Sequence, residues 1–295
     1  MPTTHLNDRA LISIAGPDAE HFLQNIITTD IAGIAPGDAW PGALLTPQGK
    51  ILFDFLISRR GEDGFLLECR ADAADDFVRR LTLYKLRSKL EITKLDQDVV
   101  AVVWQNDSAA SCDDSTSSQI DSTRLRDRRF ADAVHVIRNY GSPPSADAPA
   151  DDFAALRVKH GVAESGADFA LGDAFPHDVL FDQNGGVGLK KGCFVGQEVV
   201  SRMQHRGTAR RRILLAHADT ALPPAGADIT ADGRSVGTLG TVAGGDGLAV
   251  ARIDKVKAAM NSGVPLMAGE VTLALSIPEW ATFDFPDKSA GAEAD

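Results

Sequence analysis

The spacing of apolar residues changes at Gly207, and this change constrains the fold more than any other feature of the 295-residue chain. After Gly207, short apolar runs alternate with turns such as Asp232-Gly233 and Gly244-Gly245, which are typical of β-hairpins. Repeated short strands of this kind predict a small antiparallel β-barrel over residues 207–284. The predicted strands are 213–217, 227–230, 236–242, 247–252 and 271–275.

Residues 1–206 mix helical and strand patterns. A helix is predicted to begin at Gly16-Pro17-Asp18, because proline suits the first helical position. Strands alternating with helices indicate a sheet covered on one side by helices, so the fold class is α+β. The predicted strands are 39–46, 51–58, 65–69 and 99–104, and a second helix is predicted at 73–88. Residues 105–123 and 141–152 are predicted to be loops, and 285–295 a disordered tail.

The composition, 44% hydrophobic and 24% charged, is that of a soluble globular protein. No apolar run approaches the roughly 20 residues of a membrane helix, and Met1–Ala10 resembles neither a secretory signal nor an Arg- and Ser-rich transit peptide. The net charge of −11 argues against nucleic-acid binding. Cys69, Cys112 and Cys193 are widely spaced, which indicates a reducing compartment, and we expect a cytoplasmic protein.

The segment Lys191-Gly192-Cys193-Phe194-Val195-Gly196-Gln197-Glu198 places one thiol between two glycines, just before a predicted helix that ends at Gly207. The positive end of the helix dipole and the ammonium groups of Lys190 and Lys191 favour a thiolate at Cys193. This pattern therefore indicates a reactive thiol. The alternative is that Cys193 is a small buried hydrophobic side chain and that the glycines only permit a tight turn.

Basic residues are concentrated around this thiol. Between residues 190 and 212, seven Lys and Arg side chains accompany a single acid, Glu198, although the whole chain is acidic. Such a local excess of positive charge indicates an anionic ligand. The alternative is a solvated helix face followed by an outward-facing edge strand. In that case Glu198 and Arg202, four residues apart, would form only a helical ion pair.

The octapeptide resembles the signature of the YgfZ family, folate-binding proteins that are similar to the glycine-cleavage T-protein and are associated with iron–sulfur cluster assembly and repair. Two further segments support the resemblance. Gly16-Pro17-Asp18-Ala19-Glu20-His21-Phe22-Leu23-Gln24 resembles the first helix of that superfamily, and Thr46-Pro47-Gln48-Gly49-Lys50-Ile51 resembles its hairpin. The likeness covers most of the chain, apart from the 105–123 loop and the tail.

The resemblance implies intertwined α+β folate-binding domains over residues 1–206, arranged around a central cleft and closed by the barrel. It implies tetrahydrofolate, or a one-carbon derivative, as the cofactor, and iron–sulfur assembly or client proteins as partners, with no metal site. Cys193 would be the essential thiol. The residues that it implies for folate binding are Lys191, Gly192, Gly196, Gln197, Glu198, Arg202, Arg206 and Asp54.

Two positions depart from the aminomethyltransferases of this superfamily. Those enzymes carry adjacent carboxylates just after the hairpin, where this chain has Phe53-Asp54. Asp54 could bind the pterin or act as an acid or base, or it could be only an outward-facing strand residue. The enzymes also tend to place a pterin-binding glutamate where this chain has Phe175-Pro176-His177-Asp178, and Asp178 is shorter by one methylene. Both changes weigh against one-carbon transfer.

Three functions are consistent with these features. The first is an iron–sulfur maturation factor that binds tetrahydrofolate and uses Cys193 transiently, as a shared cluster ligand or as a protective thiol. Stable clusters need about four ligands, which three scattered cysteines do not supply. The second is a folate-dependent aminomethyltransferase. The third is a non-catalytic scaffold for protein interactions. We expect the first, and do not expect a conventional enzyme.

Overall fold

The computed structural model describes residues 1–96, 99–105 and 123–286. The chain divides into two compact units. The first unit comprises Met1–Phe153 and Asn184–Glu198, and the second comprises Ala154–Gln183 and Val199–Asp295. Each unit therefore combines two separate stretches of sequence, and residues 184–198, which include Cys193, belong with the N-terminal half of the chain.

The described residues of the first unit form a nine-stranded sheet with two helices. Helix α1 spans Ala19–Ile26 and helix α2 spans Ala74–Lys85. The strands are β1 Thr3–His5, β2 Arg9–Ala15, β3 Asp38–Leu45, β4 Ile51–Arg59, β5 Gly64–Arg70, β6 Glu91–Leu95, β7 Val99–Trp104, β8 Arg124–Asp127 and β9 Val136–Gly141. Their order in the sheet is β1-β7-β9-β8-β3-β4-β5-β2-β6. The pair β3–β8 is parallel, whereas neighbours such as β3–β4 and β4–β5 are antiparallel.

Aromatic stacking joins helix α2 to the sheet. The ring of Phe77 lies 4.7 Å from that of Phe53 and 5.4 Å from that of Phe55. Phe53 and Phe55 are two residues apart on β4, so their side chains share one face of the strand. All three side chains are buried. The cluster that packs helix α2 therefore lies on this face, Asp54 points to the opposite one, and a second buried cluster that includes Leu56 lies on that opposite face.

A buried ionic network fastens strand β5 to strands β8 and β9. The Arg138 guanidinium is fully buried and lies 2.9 Å from a Glu68 oxygen and 3.1 Å from an Asp127 oxygen. The Tyr140 hydroxyl also donates to Glu68, at 3.0 Å. Because each buried charge has an opposite charge beside it, removing one member of this network would leave the others buried and uncompensated.

The second unit contains a closed β-barrel with the strand order β10-β13-β12-β11-β14-β15. Its strands are β10 Arg211–His217, β11 Asp228–Ala231, β12 Arg234–Ala243, β13 Asp246–Arg252, β14 Leu266–Ala268 and β15 Val271–Ser276. Helices α3 (Ala150–His160) and α4 (Gln197–Arg206) pass from the first unit into the second, and α5 spans Ile253–Ser262. Among the described helices, none is long and apolar enough to cross a membrane.

The predicted α+β class with a C-terminal antiparallel barrel is confirmed. The predicted hairpin turns at Asp232-Gly233 and Gly244-Gly245 join β11 to β12 and β12 to β13. The elements that were not predicted are helices α3 and α5 and strands β1, β2, β6, β8, β9 and β14. Helix α3 begins at Ala150, inside the predicted 141–152 loop. The domain boundary at residue 207 stays a prediction. The 105–123 loop, the tail and Cys112 lie wholly or mostly outside the described residues.

Candidate functional site

Cys193 is exposed to solvent and is not in a disulfide bond. The residue lies in a non-helical stretch, four positions before α4 begins at Gln197. Cys193 is therefore not the small buried hydrophobic side chain that the sequence allowed as an alternative. Cys69 provides the contrast, because it is buried and its pKa is raised to about 12, first by burial and then by the negative charges of Asp54 and Glu68.

Lys191 anchors the Cys193 segment to the loop that follows α1. Its Nζ donates to the carbonyl oxygens of Ile27, at 2.7 Å, and Thr29, at 2.8 Å. The ammonium also lies 5.4 Å from the centre of the Phe194 ring. Burial lowers the pKa of Lys191 to about 8, against the attraction of Asp30. Two of its three donors are therefore engaged with backbone, so Lys191 fixes the segment rather than presenting a free cation to a ligand.

Gly196 packs against the hairpin between β3 and β4. Its φ is +79°, in the left-handed region that favours glycine. A Cβ there would lie 2.5 Å from the carbonyl oxygen of Thr46 and 3.1 Å from the Cα of Gly49. Two of the three sequence segments that carried the resemblance, the octapeptide and the hairpin, are therefore in direct contact. Gly192 differs, because a Cβ there would meet nothing within 4 Å and its φ is not positive.

Helix α4 carries the remaining predicted ligands on its surface. Gln197 is its first residue, and the backbone N–H of Gln197 donates to the carbonyl oxygen of Phe194 at 3.2 Å. Glu198, Arg202 and Arg206 are exposed, whereas Val200 is buried. Gln197 and Glu198 belong to the first unit with Cys193, and Arg202 and Arg206 belong to the second.

The basic segment 190–212 is less open than its sequence suggested. Arg211 donates to Asp173 at 3.0 Å and to Asp178 at 2.8 Å, and Arg212 donates to Asp182. With Lys191 held by carbonyls, at least three of the seven cations are engaged within the protein. The sequence displays the positive charge of this segment but not the acids that neutralise part of it, because Asp173, Asp178 and Asp182 lie earlier in the chain. The anionic ligand stays a prediction. The exposed cations are Lys190, Arg202, Arg206 and Arg210.

The two positions that differ from the aminomethyltransferases have separate roles. Phe53 is a core residue, stacked on Phe77, so nothing acidic could replace it without disturbing that packing. Asp54 is half-buried on the other face of β4, opposite Ala43 of β3. Of the two carboxylate positions, only Asp54 could therefore contact a ligand.

The segment around His177 and Asp178 is engaged inside the second unit. His177 is buried, its Nε2 lies 3.0 Å from the Gln204 side-chain oxygen, and burial lowers its pKa. Asp178 accepts from the Phe175 backbone N–H, at 3.0 Å, and from Arg211. Burial raises the pKa of Asp178 despite those donors. These contacts hold the segment against β10 and α4, which sequence spacing did not reveal.

Two family models match separate parts of the chain. Residues 6–120 match the GCVT N-terminal domain, and residues 210–283 match the C-terminal β-barrel domain of CAF17. Among solved structures, the glycine cleavage system aminomethyltransferase T from Bartonella henselae aligns with a TM-score of 0.65 and 15% identity, over 95% of this chain and 86% of that one. At this identity the likeness establishes the fold.

Curated relatives are named iron–sulfur cluster assembly factor IBA57 or its homologue. The homologue from Pyricularia oryzae is 35% identical over 221 residues, and that from Chaetomium globosum is 32% identical over 246 residues. The alignments cover 72% and 71% of this chain but only about half of each relative, 56% and 54%. The Homo sapiens protein is 28% identical over 300 residues, with 93% of this chain and 84% of the relative covered.

These relatives correct two expectations from sequence. Each is named as mitochondrial, so the predicted cytoplasmic location is wrong. Widely spaced cysteines favour a reducing compartment but do not distinguish one reducing compartment from another. The relatives are also IBA57 proteins, which supports a broader group than the YgfZ family. The chain thus matches a GCVT N-terminal domain and a CAF17-type C-terminal β-barrel domain, has an aminomethyltransferase-like fold, and is similar in sequence to proteins named IBA57.

Proposed function

We propose that this protein is an iron–sulfur cluster assembly factor in which Cys193 supplies one sulfur ligand to a cluster held by a partner protein. The names of the IBA57 relatives support the assembly role. The observation that carries the proposal is the exposure of Cys193 on a segment fixed on both sides. Lys191 fixes it from the N-terminal side and Gly196 from the C-terminal side.

The available ligands favour a shared cluster. Iron–sulfur clusters are held by about four ligands, usually thiolates. Among the described residues, no three His, Cys, Asp or Glu side chains form a group that could hold a metal ion, and Cys69 is buried. In the proposed step the Cys193 thiol releases its proton and its sulfur donates an electron pair to an iron of the cluster. The partner supplies the other ligands.

Fixation of the segment is what makes one exposed thiol useful. A thiol on a mobile loop would lose conformational freedom when it joined a cluster, and that entropy would oppose binding. The bonds from Lys191 to the α1 loop and the contact of Gly196 with the hairpin order the segment before the partner arrives. Cys193 is therefore preorganised for a shared interface.

We also propose that tetrahydrofolate, or a one-carbon derivative, binds near this segment. The match to the GCVT N-terminal domain supports a folate-type site. The glutamate tail of a folate is anionic, and the exposed Arg202 and Arg206 can make charge-assisted contacts with it. Asp54, Gln197 and Glu198 would contact the remainder of the ligand. Gly192 and Gly196 would allow close approach of the backbone, and Lys191 would hold that backbone in place.

Replacement of Cys193 tests the thiol role. Cells that lack the protein should regain the activity of their iron–sulfur enzymes when given the wild type, but not when given Cys193→Ser or Cys193→Ala. Circular dichroism should show both variants folded, because the side chain is exposed and buries nothing. Cys69→Ser is the matched comparison for a buried thiol and should retain rescue if it folds. Full rescue by Cys193→Ser would remove the sulfur from the mechanism.

Thermal unfolding with tetrahydrofolate tests the ligand. A ligand at 100 times its dissociation constant stabilises the folded state by about 2.7 kcal/mol. Arg202→Ala should weaken this effect and flatten its dependence on salt, whereas Arg234→Ala, at an exposed barrel position, should not. Turnover of an aminomethyl carrier would instead support the aminomethyltransferase alternative. If tetrahydrofolate does not change the melting temperature, the protein would be an assembly factor that binds no folate, or a scaffold for protein interactions.

A further inference from the structure

The C-terminal end of helix α2 exposes two leucines. Leu83 is 70% exposed and Leu86 is 88% exposed, the highest values for large hydrophobic side chains among the described residues. The opposite face of the helix carries Phe77 and Leu81 into the core. Leu83 and Leu86 are therefore not needed to attach α2 to the sheet.

Backbone geometry makes Leu86 more unusual still. Its φ is 48° and its ψ is −108°, and the Ser88 backbone N–H donates to the Lys85 carbonyl oxygen at 2.9 Å. This is a type II′ turn with Leu86 at the first central position, where glycine is strongly favoured. Leucine strains the backbone there and buries almost none of its side chain. Stability of the fold would favour glycine, so folding does not explain the leucine.

Positive charge surrounds the two leucines. Residues 79–89 contain five Lys and Arg side chains and no acid, although the whole chain has a net charge of −11. Arg79 pairs with Asp76. In the part of the chain that the structure describes, the other four have no ion-pair partner; they are Arg80, Lys85, Arg87 and Lys89. The exposed leucines therefore lie within a locally basic surface of an acidic protein.

We propose that this surface docks a protein partner that presents an apolar groove rimmed by Asp and Glu side chains. We call it the α2 patch and define it as Arg80, Leu83, Leu86, Arg87 and Lys89. The two leucines would enter the groove, and the cations would face the acidic rim. Apolar anchors at the centre of an interface supply binding energy, and complementary charge at the rim supplies specificity and association rate.

The same observations favour a protein over a membrane or a nucleic acid. Because Phe77 and Leu81 are occupied by the core, α2 offers only two leucines, which is a small area for insertion into lipid. A net charge of −11 would oppose approach to an anionic bilayer or to a nucleic acid. A protein partner is different, because its acidic rim needs to match only the basic charge of the patch itself and not the charge of the whole chain.

The proposal does not depend on the thiol of Cys193. The α2 patch lies on a different element, and none of its residues belongs to the segment 191–198. A partner docked there should bind Cys193→Ser as tightly as the wild type. That variant therefore separates failure of the docking surface from failure of the cluster role.

Site-specific crosslinking identifies the partner. A photoreactive phenylalanine analogue replaces Leu86 in the full chain expressed in its own host, and the same analogue at Met260, exposed on α5, is the control. A protein crosslinked at position 86 and not at 260 is identified by mass spectrometry and purified. Capture alone does not support the proposal. The purified protein is then titrated with the wild type and with patch variants.

Leu86→Gly is the decisive variant, because glycine relieves the turn and should leave the melting temperature equal or higher. We expect it to weaken binding of the purified partner at least tenfold. Arg80→Glu with Arg87→Glu should weaken binding further and flatten its dependence on salt, whereas Arg234→Glu on the barrel should change neither. Equal binding by all variants, or no specific crosslink at position 86, overturns the proposal.

Two other results also overturn it. Binding of the wild type to phosphatidylglycerol vesicles that Arg87→Glu abolishes would identify a membrane surface. Self-association in sedimentation that Leu86→Gly abolishes would identify a second copy of this chain as the occupant.

Discussion

Replacement of Gly196 by alanine tests whether the Cys193 segment depends on the hairpin beneath it. Gly196 has a φ of +79°, where a residue with a side chain costs about 1–2 kcal/mol. The new Cβ would lie 2.5 Å from the Thr46 carbonyl oxygen and 3.0 Å from the Leu45 Cβ, and overpacking of this kind costs about 1–3 kcal/mol. The free energy of unfolding should therefore fall by about 2–5 kcal/mol.

Gly192→Ala is the matched control. A Cβ at Gly192 meets nothing within 4 Å, and its backbone is not left-handed. Alanine there reduces the freedom of the unfolded chain and should leave stability unchanged or raise it by up to about 1 kcal/mol. Because two units need not unfold together, Trp280→Phe is included in every variant. Tryptophan fluorescence in urea then comes from Trp40 and Trp104, both in the first unit, and so it follows the unfolding of that unit.

A loss of stability in Gly196→Ala no larger than that in Gly192→Ala would contradict this expectation. In that case the segment would not rest on the hairpin as described, and the proposed preorganisation of Cys193 would lose its basis. A loss of stability in Gly196→Ala alone, together with weaker rescue of iron–sulfur enzymes at a temperature where the variant stays folded, would support both the contact with the hairpin and the preorganisation of Cys193.

Three further predictions concern buried ionisable side chains. Lys191→Met should lower the free energy of unfolding by about 1–3 kcal/mol in urea, since two carbonyl groups lose their donor, whereas the exposed Lys190→Met should change it by less than about 0.5 kcal/mol. Arg212→Met should cost about 3–5 kcal/mol by leaving a buried carboxylate unpaired, whereas Arg210→Met should be nearly neutral; equal losses would contradict this. Burial lowers the pKa of His177 in the folded state. As the pH falls below 6.5, the unfolded chain therefore binds a proton that the folded unit does not, and the free energy of unfolding should decrease. His177→Gln should flatten that decline in thermal melts, and an unchanged decline would exclude His177.

Local patterns predicted the elements that carry their own signals. The turn at Asp232-Gly233 could be predicted because left-handed turn positions favour Asp, Asn and Gly. Both residues have positive φ in the structure. Helix α1 was predicted from Pro17, and the segment around Cys193 from its glycines. These features depend on neighbours within a few residues, which the sequence displays directly.

Long-range contacts were not predictable in the same way. Lys191 reads as a free cation in sequence, yet it donates to carbonyls more than 160 residues earlier. Arg211 and Arg212 read as part of a basic segment, yet their carboxylate partners lie about 30 to 40 residues upstream. Arg138 was not singled out from sequence, yet it is fully buried between Glu68 and Asp127. Periodicity and local charge counts contain no information on such partners.

Native-state alkylation tests most directly whether the chain presents an accessible sulfur at Cys193. The protein carrying Cys112→Ser is treated with iodoacetamide at neutral pH without denaturant, and the sites of modification are read by mass spectrometry. We expect rapid modification of Cys193 and protection of Cys69, which is buried with a pKa of about 12. Protection of Cys193 until urea is added, or equal rates at the two cysteines, would contradict it.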